Sequence, residues 1–451
     1  MSSRSCFSAV LLCAILTFAA PLASAETPDK SKTDFADEPY VFELLRNVVR
    51  YENDGTGTRE TTARIRVQNE AAVQALGQMI FGYSSANEKL AIGYLRVRRS
   101  DGTTVEASPD NSQDLPAPVA RQAPMYSDYR EKHIPVPGLR PGEILEYRIV
   151  TTVENALFPG QFWLGYEFEK NVIVLDEQLE VSVPKGRGVK LKTQPGHDAK
   201  VTTEGDRRVY RWAGSHTERE ADDTKDAHKK VHKPAELPDI EITTVADWNE
   251  VGRWYAGLER DRIVATPEVR AKAAELTKTA KTDQEKMQIL YDYVAQDFRY
   301  ISLSFGVGRV QPHAAGEILA HQYGDCKDKH TLLAAMLGSV GIPAYAALIN
   351  AQRDTDGDIP SPMQFNHMIT AVPQGKDYIW LDTTTEIAPF RLLAPSIRGK
   401  KALVVAPDGS ATLVETPKQP PVENSQAVEI EGKVTELGKL QAHVRVVARG
   451  D

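Results

Sequence analysis

The chain has 451 residues, 41% apolar and 26% charged, enough to bury two or three cores of ordinary size. Its net charge of −8 is spread over mixed acidic and basic residues with no long basic tract, which argues against nucleic acid as a partner. In chain order, MSSRSCFSAVLLCAILTFAAPLASA comes first: an arginine, an apolar run from Phe7 to about Leu22, and Ala23-Ser24-Ala25 at its close. That is the pattern of a cleaved signal peptide over residues 1–25. It predicts a periplasmic or secreted protein with no stable membrane insertion after cleavage, since no later stretch carries eighteen continuous apolar residues. Cys6 and Cys13 leave with the leader, so Cys326 remains as a single thiol in a compartment where cysteines usually pair.

From about Tyr40 to Trp212 short runs alternate apolar and polar side chains, as in TARIRVQN, ILEYRIVTTVE and QLEVSVPKG, and Asp101-Gly102 marks a tight hairpin. Residues 26–213 therefore read as an all-β, sandwich-like domain. Arg96, Arg98 and Arg99 form a small basic patch that reads as a solvated strand face. Residues 214–240 lose the alternation and read as a polar linker; His228 and His232 within it have no third ligand near them.

At Trp248 the period changes to that of helices, in ADWNEVGRWYAGLERDR, PEVRAKAAELTKTA and DQEKMQILYDYVAQDFRY. In the third, Met287, Leu290, Tyr291, Val294 and Phe298 make one apolar stripe, read as core. A further helix is expected to begin at Cys326, with Asp325 as N-cap, Leu332, Leu333, Met336, Leu337 and Val340 as its buried face, and Gly341-Ile342-Pro343 as its end. AYAALIN, NHMITAV and YIWLDTT then read as strands, with Gly375 in the last turn. Residues 241–415 are thus an α+β core. Residues 416–451 are a proline-rich connector and a hairpin, the start of a C-terminal β region in what reads as a shortened chain.

A cysteine in the first turn of a helix sits in the positive end of the helix dipole, which favours thiolate. Asp325 and Asp328 oppose that, so a base is needed. If the strands around Gly375 pair antiparallel, His367 and Asp382 approach one another at their far ends, and the set Cys326, His367, Asp382 supplies nucleophile, base and orienter. Spacing alone leaves plainer readings open: His367 as a satisfied strand histidine, Asp382 as a cap on the turn at Thr383-Thr384. His330 lies one helical turn deeper and suits support; His313 falls in the loop before AAGEILA. Zinc lacks the close-spaced ligand pairs it generally requires, and Asp354-Thr355-Asp356-Gly357-Asp358 departs from the calcium loop, so it reads as a solvated turn and no metal or cofactor is expected.

The order Arg299-Tyr300-Ile301, Gln311-Pro312, Tyr-Gly-Asp-Cys-Lys-Asp-Lys at 323 to 329, Gly341-Ile342-Pro343-Ala344, Asn366-His367 and Trp380-Leu381-Asp382 resembles the transglutaminase-like superfamily, a papain-like thiol fold. The alternating region before it resembles the uncharacterised sheet domain DUF3857 of exported bacterial proteins. The resemblance implies that Cys326 is the nucleophile, His367 the general base and acid and Asp382 the orienter, with Tyr300 or Gln322 as the second oxyanion donor. It implies a cysteine-dependent acyl-transfer enzyme, peptidase, amidase or transglutaminase, acting on a protein or peptide substrate. Lys327 stands where animal transglutaminases have tryptophan. The rival expectation is a non-catalytic module that keeps the fold and binds protein or glycan.

Overall fold

The computed structural model describes residues 35–121, 125, 128–218, 237–301, 307–387, 389–421, 423–434 and 438–449. The leader and the pair His228 and His232 lie outside the described residues. One unit runs to Ala246 and takes in residues 307–309 as well; a second begins at Asp247 and holds the rest.

In the first unit the period-two runs form an eight-stranded sheet. Its order is Lys200–Glu204, Arg207–His216, Val174–Pro184, Tyr40–Tyr51, Gly57–Val67, Ile144–Val153, Glu88–Arg98 and Thr104–Glu106. Tyr40–Tyr51 and Val174–Pro184 run parallel; the other neighbours are antiparallel. Alternation puts Ala63, Ile65, Leu95, Val97, Leu145 and Tyr147 on one face, where they pack against Met79, Phe81 and Ile134 of a three-stranded sheet. A second small sheet, Lys190–Thr193, Ile240–Thr243 and Trp163–Tyr166, covers Val49, Leu179, Val181 and Tyr210. The predicted hairpin at Asp101-Gly102 is present, with Gly102 at φ +85°. Helix α1, Glu70–Leu76, interrupts the strands; Asn69 caps it by accepting the Ala72 N–H at 3.0 Å. The alternating pattern gives no hint of α1, because seven residues are too few for a helical period to declare itself.

Two boundaries differ from the sequence expectation. The strand expected to stop before residue 214 continues to His216, and Ile240–Thr243, fully buried between two strands, belongs to the first unit rather than to a core starting at 241. Both segments are locally too polar or too short to read as strands; pairing with distant partners makes them so.

The second unit holds the predicted helices. Helix α2 is Trp248–Glu259, capped by Asp247; α3 is Pro267–Thr277, with Pro at its start; α4 is Asp283–Asp297, closed by a Thr282–Glu285 capping box. The stripe of Met287, Leu290, Tyr291, Val294 and Phe298 is core. After α5, Ala315–His321, comes α6, Cys326–Ser339. Lys327 through Leu337 are all buried, so the single buried face expected for α6 was too narrow: α3, α4, α5 and a sheet surround it. That sheet is antiparallel, in the order Asp377–Leu381, His367–Gln374, Tyr345–Ile349, Lys401–Val405, Ala411–Glu415. Nor is the turn 354–358 solvated throughout. Thr355 and Asp356 are buried, and Gln364 bonds the main chain of Asp356 on both sides, at 2.6 and 2.8 Å. Strands Ser425–Val434 and Leu440–Arg449 make the terminal hairpin. No helix among the described residues is long and apolar enough to cross a membrane.

Candidate active site

Helix α6 begins at Cys326 because Asp325 stops the extended chain before it. The Asp325 carboxylate accepts the N–H groups of Lys327 and Asp328 at 3.1 and 3.2 Å, while Asp328 reaches back to the Asp325 N–H at 3.4 Å. Gly324 makes room for this: a Cβ there would stand 2.6 Å from the Asp328 Cβ. Cys326 is half-buried and is the one free cysteine among the described residues.

The candidate base, His367, arrives from the sheet. Gln374 pairs with Asp377 and Thr370 with Leu381, which brings the two ends of the hairpin, His367 and Asp382, together. His367 Nε2 lies 3.0 Å from Asp382 Oδ2. The other carboxylate oxygen accepts the Thr384 N–H at 3.0 Å and its hydroxyl at 2.7 Å, so Asp382 both caps the turn and holds the ring. With Nε2 on Asp382, Nδ1 is the nitrogen left for the thiol. Burial alone would push the His367 pKa down. The Asp382 carboxylate and a hydrogen bond with Cys326 outweigh it and hold the imidazolium well above its ordinary 6.5. The Asp382 carboxyl, pulled up by burial, is held below 3.8 by His367 and Thr384.

The oxyanion candidates part company. Tyr300 sits on a two-residue strand paired parallel with Tyr323–Gly324, opposite Gly324 and therefore beside the turn that leads into Cys326. Gln322 is exposed at the end of α5 with φ +57°, and its main chain, by accepting the Arg299 N–H at 3.0 Å, holds that pairing in place.

Around these lies a layer whose partners the sequence reading left unassigned. Asp328 Oδ1 accepts the His313 N–H at 2.8 Å, and its two oxygens stand 3.2 and 3.1 Å from His313 Nδ1. Lys327 pairs with Asp325, both buried. Lys329 donates to the carbonyls of Ala295 and Phe298 at 3.1 and 2.8 Å, capping the end of α4; burial pushes its ammonium down to about 8, against the pull of Glu386 and Asp382. His330, the expected supporting residue, is buried, with Nδ1 2.7 Å from the Thr370 hydroxyl and Nε2 2.9 Å from Glu259, a contact poorly angled for a hydrogen bond. Tyr291 donates to the Asp382 carbonyl at 3.0 Å. The D-x-x-D spacing of Asp325 and Asp328 was a legible sign of a capping box; the distant partners had no local sign. A cavity of about 180 Å³ bordered by Tyr378, Trp380, Arg391 and Arg398 lies elsewhere in this unit and includes none of Cys326, His367 or Asp382.

A half-buried thiol at a helix start beside an imidazole on a carboxylate is the geometry of nucleophilic acyl chemistry. The transglutaminase-like superfamily matches residues 270–382, the span that runs from α3 to Asp382. These residues form a transglutaminase-like domain. DUF3857, a domain of unknown function with a solved structure, matches residues 53–219, the greater part of the sheet unit. A crystal structure of a candidate protease from Parabacteroides distasonis is similar at a TM-score of 0.69 and 17% identity, covering 85% of this chain and 72% of that one. At that identity the likeness is one of fold. A candidate cysteine protease from Cytophaga hutchinsonii aligns at a TM-score of 0.27 and 12% identity, over 64% and 86% of the two chains. An M1 zinc metallopeptidase from Deinococcus radiodurans aligns at 0.23 and 8%, over 39% of each. No curated protein matches the chain. The transglutaminase-like domain thus carries Cys326, the His367 strand and Asp382 within one matched span.

Proposed function

We propose that this protein is a cysteine-dependent acyl-transfer enzyme acting on a protein or peptide carboxamide, with Cys326 as nucleophile, His367 as base and acid, and Asp382 as orienter. The observation that carries the reading is the His367 ring held by Asp382 at 3.0 Å, with Asp382 and Cys326 together holding its imidazolium well above 6.5. The Cys326 sulfur, its proton passed to His367 Nδ1, attacks the carbonyl carbon and the C=O pair moves onto oxygen. The Cys326 N–H, at the first position of α6, donates to that oxyanion, with Tyr300, paired opposite Gly324, as the favoured side-chain candidate. The oxyanion collapses, the C–N bond breaks, and the amine leaves with the proton from His367; a thioester remains. Water, giving its proton to His367, releases the acid, whereas an amine acceptor gives a crosslink.

The leader-like start supports work in the periplasm or outside the cell, where hydrolysis has the abundant acceptor. Alkylation of the mature protein with iodoacetamide across pH 5 to 9 tests the reading. The expected result is fast labelling at Cys326 with an apparent pKa well below the ordinary value of about 8.5, slowed in His367→Ala. Equal, slow labelling of both proteins, rising only near pH 8 to 9, would sink it in favour of a binding module.

A further inference from the structure

Cys326 stands between two buried carboxylates, and each has a basic side chain against it. Asp325 and Asp328 are 1% and 0% exposed. Left bare at one and two residues from the sulfur, either charge would oppose thiolate formation in a poorly solvated site. Asp325 is instead paired with the ammonium of Lys327, itself 3% exposed. Asp328 is paired with His313, whose ring it holds at 3.1 Å through Nδ1 and whose N–H it accepts at 2.8 Å. The two basic side chains come from different places: Lys327 from the same turn, His313 from the loop that enters α5.

We propose that Lys327 and His313 are charge-compensating positioning residues, which hold the thiolate of Cys326 accessible by neutralising Asp325 and Asp328. This deepens the acyl-transfer reading and rests on it for the role of Cys326. Among the described residues, the charged or titratable groups around the turn include His367 and Asp382 from the sheet, and Tyr255 and Glu259 from α2, with His330 against Glu259. His367 is the direct partner of the sulfur. Tyr255 stays neutral, because burial and the surrounding charges of Glu259, Cys326, Asp325 and Asp328 hold its hydroxyl far above 10.0. Lys329 faces the end of α4 instead. Lys327 is held charged despite its burial by Asp325, Asp328 and Cys326 together, so the acidic partners it answers to include the thiol.

A structural role and an electrostatic one separate by rescue. The measurement is the rate of iodoacetamide alkylation of the full chain against pH, with circular dichroism to verify folding. His313→Gln is expected to slow labelling about tenfold near pH 6.5 and to raise the apparent pKa of Cys326 by about one. Lys327→Met is expected to do the same at a pH well above the Asp325 carboxyl, which burial pushes up to about 6 even with the lysine in place. Adding Asp328→Asn to the first, or Asp325→Asn to the second, removes the bare charge while asparagine still caps the helix. The double variants should then recover to within about threefold of the wild-type rate. Unchanged rates in the single variants, or slow rates that the Asp→Asn partner does not restore, overturn the inference. If Lys327→Met does not fold, the His313 pair decides alone, since that side chain is 20% exposed and leaves no core cavity. The catalytic reading fails by a different result, an ordinary thiol pKa in the wild type with no effect of His367→Ala, whereas the rescue compares variants with one another at whatever pH the thiol titrates.

Discussion

At Asp382 one oxygen holds the Thr384 amide and hydroxyl while the other holds the His367 ring, so the turn and the imidazole are fixed by the same carboxylate. Asp382→Asn tests this with little change of shape. The asparagine oxygen can still accept from Thr384, but its NH₂ would donate to His367 Nε2 and force the ring proton onto Nδ1, facing the thiol. Alkylation of Cys326 in that variant is expected to fall about tenfold or more. Stability carries the same signature in its pH dependence. The His367 pKa is raised, so its contribution is full below about pH 6.5 and is lost as pH rises through the folded-state value. The Asp382 pKa is lowered, so its contribution is present above about pH 3.8 and is lost as pH falls through the folded-state value. Thermal midpoints of wild type and Asp382→Asn should therefore differ most between those limits and converge outside them. A gap independent of pH would mean that the pair is not ionised. In the sequence the identities of both residues and their antiparallel approach were legible, because the turn at Gly375 sets the register. Which nitrogen faces Asp382 was not, because tautomer and rotamer belong to packing.

Elements differ in how much of their environment they announce. Helix α6 declares its start through Asp325 and Asp328 and its end through Gly341, at φ +85°. It does not declare that it is wrapped on all sides, because Lys327, Asp328, Lys329 and His330 look like a solvated turn until their partners on other elements are seen. The terminal hairpin is the opposite case. Its alternation is plain, and the register puts Val428, Ile430 and Val434 across from Val446, Val444 and Leu440 on one face, with Glu429 and Glu431 across from Arg445 and His443 on the other. Those six apolar side chains are between 52% and 74% exposed. A two-stranded ribbon of this kind is marginal alone in water and adds little to the stability of the rest. Removing residues 422–451 is expected to leave the thermal midpoint of the remaining chain within about 2 °C, and to reduce binding of an apolar-surface dye. A larger fall in the midpoint would show that the hairpin packs against the rest of the chain in solution.

At the scale of the whole molecule, the sheet unit carries an ion-pair ladder of its own. Glu146, 3% exposed, accepts from Arg64 at 3.1 Å, Arg96 at 2.7 Å and Arg98 at 3.0 Å on the open face of the eight-stranded sheet. The basic patch read as a solvated strand face is thus half of an ion-pair ladder, with Arg96 also over the Tyr94 ring at 4.6 Å. Glu146→Gln leaves three partly exposed guanidinium groups without their shared counter-charge and should cost about 1–3 kcal/mol, discounted for solvent screening. Calorimetry should place that loss in the sheet unit, with alkylation of Cys326 unchanged within about twofold. A slower thiol would tie the two units together. By itself the sequence determined the class of each region, because periods of two and of 3.6 are local and survive without tertiary information. It also put Cys326 at a helix start and His367 and Asp382 at the two ends of one hairpin, because cap and turn are local too. Only the tertiary structure decided that Ile240–Thr243 completes the first unit, that α6 is buried on every side, and that Asp325 and Asp328 face Lys327 and His313. Strand partners and counter-ions are chosen across long stretches of chain, where burial removes water and leaves each charge to find a partner of its own.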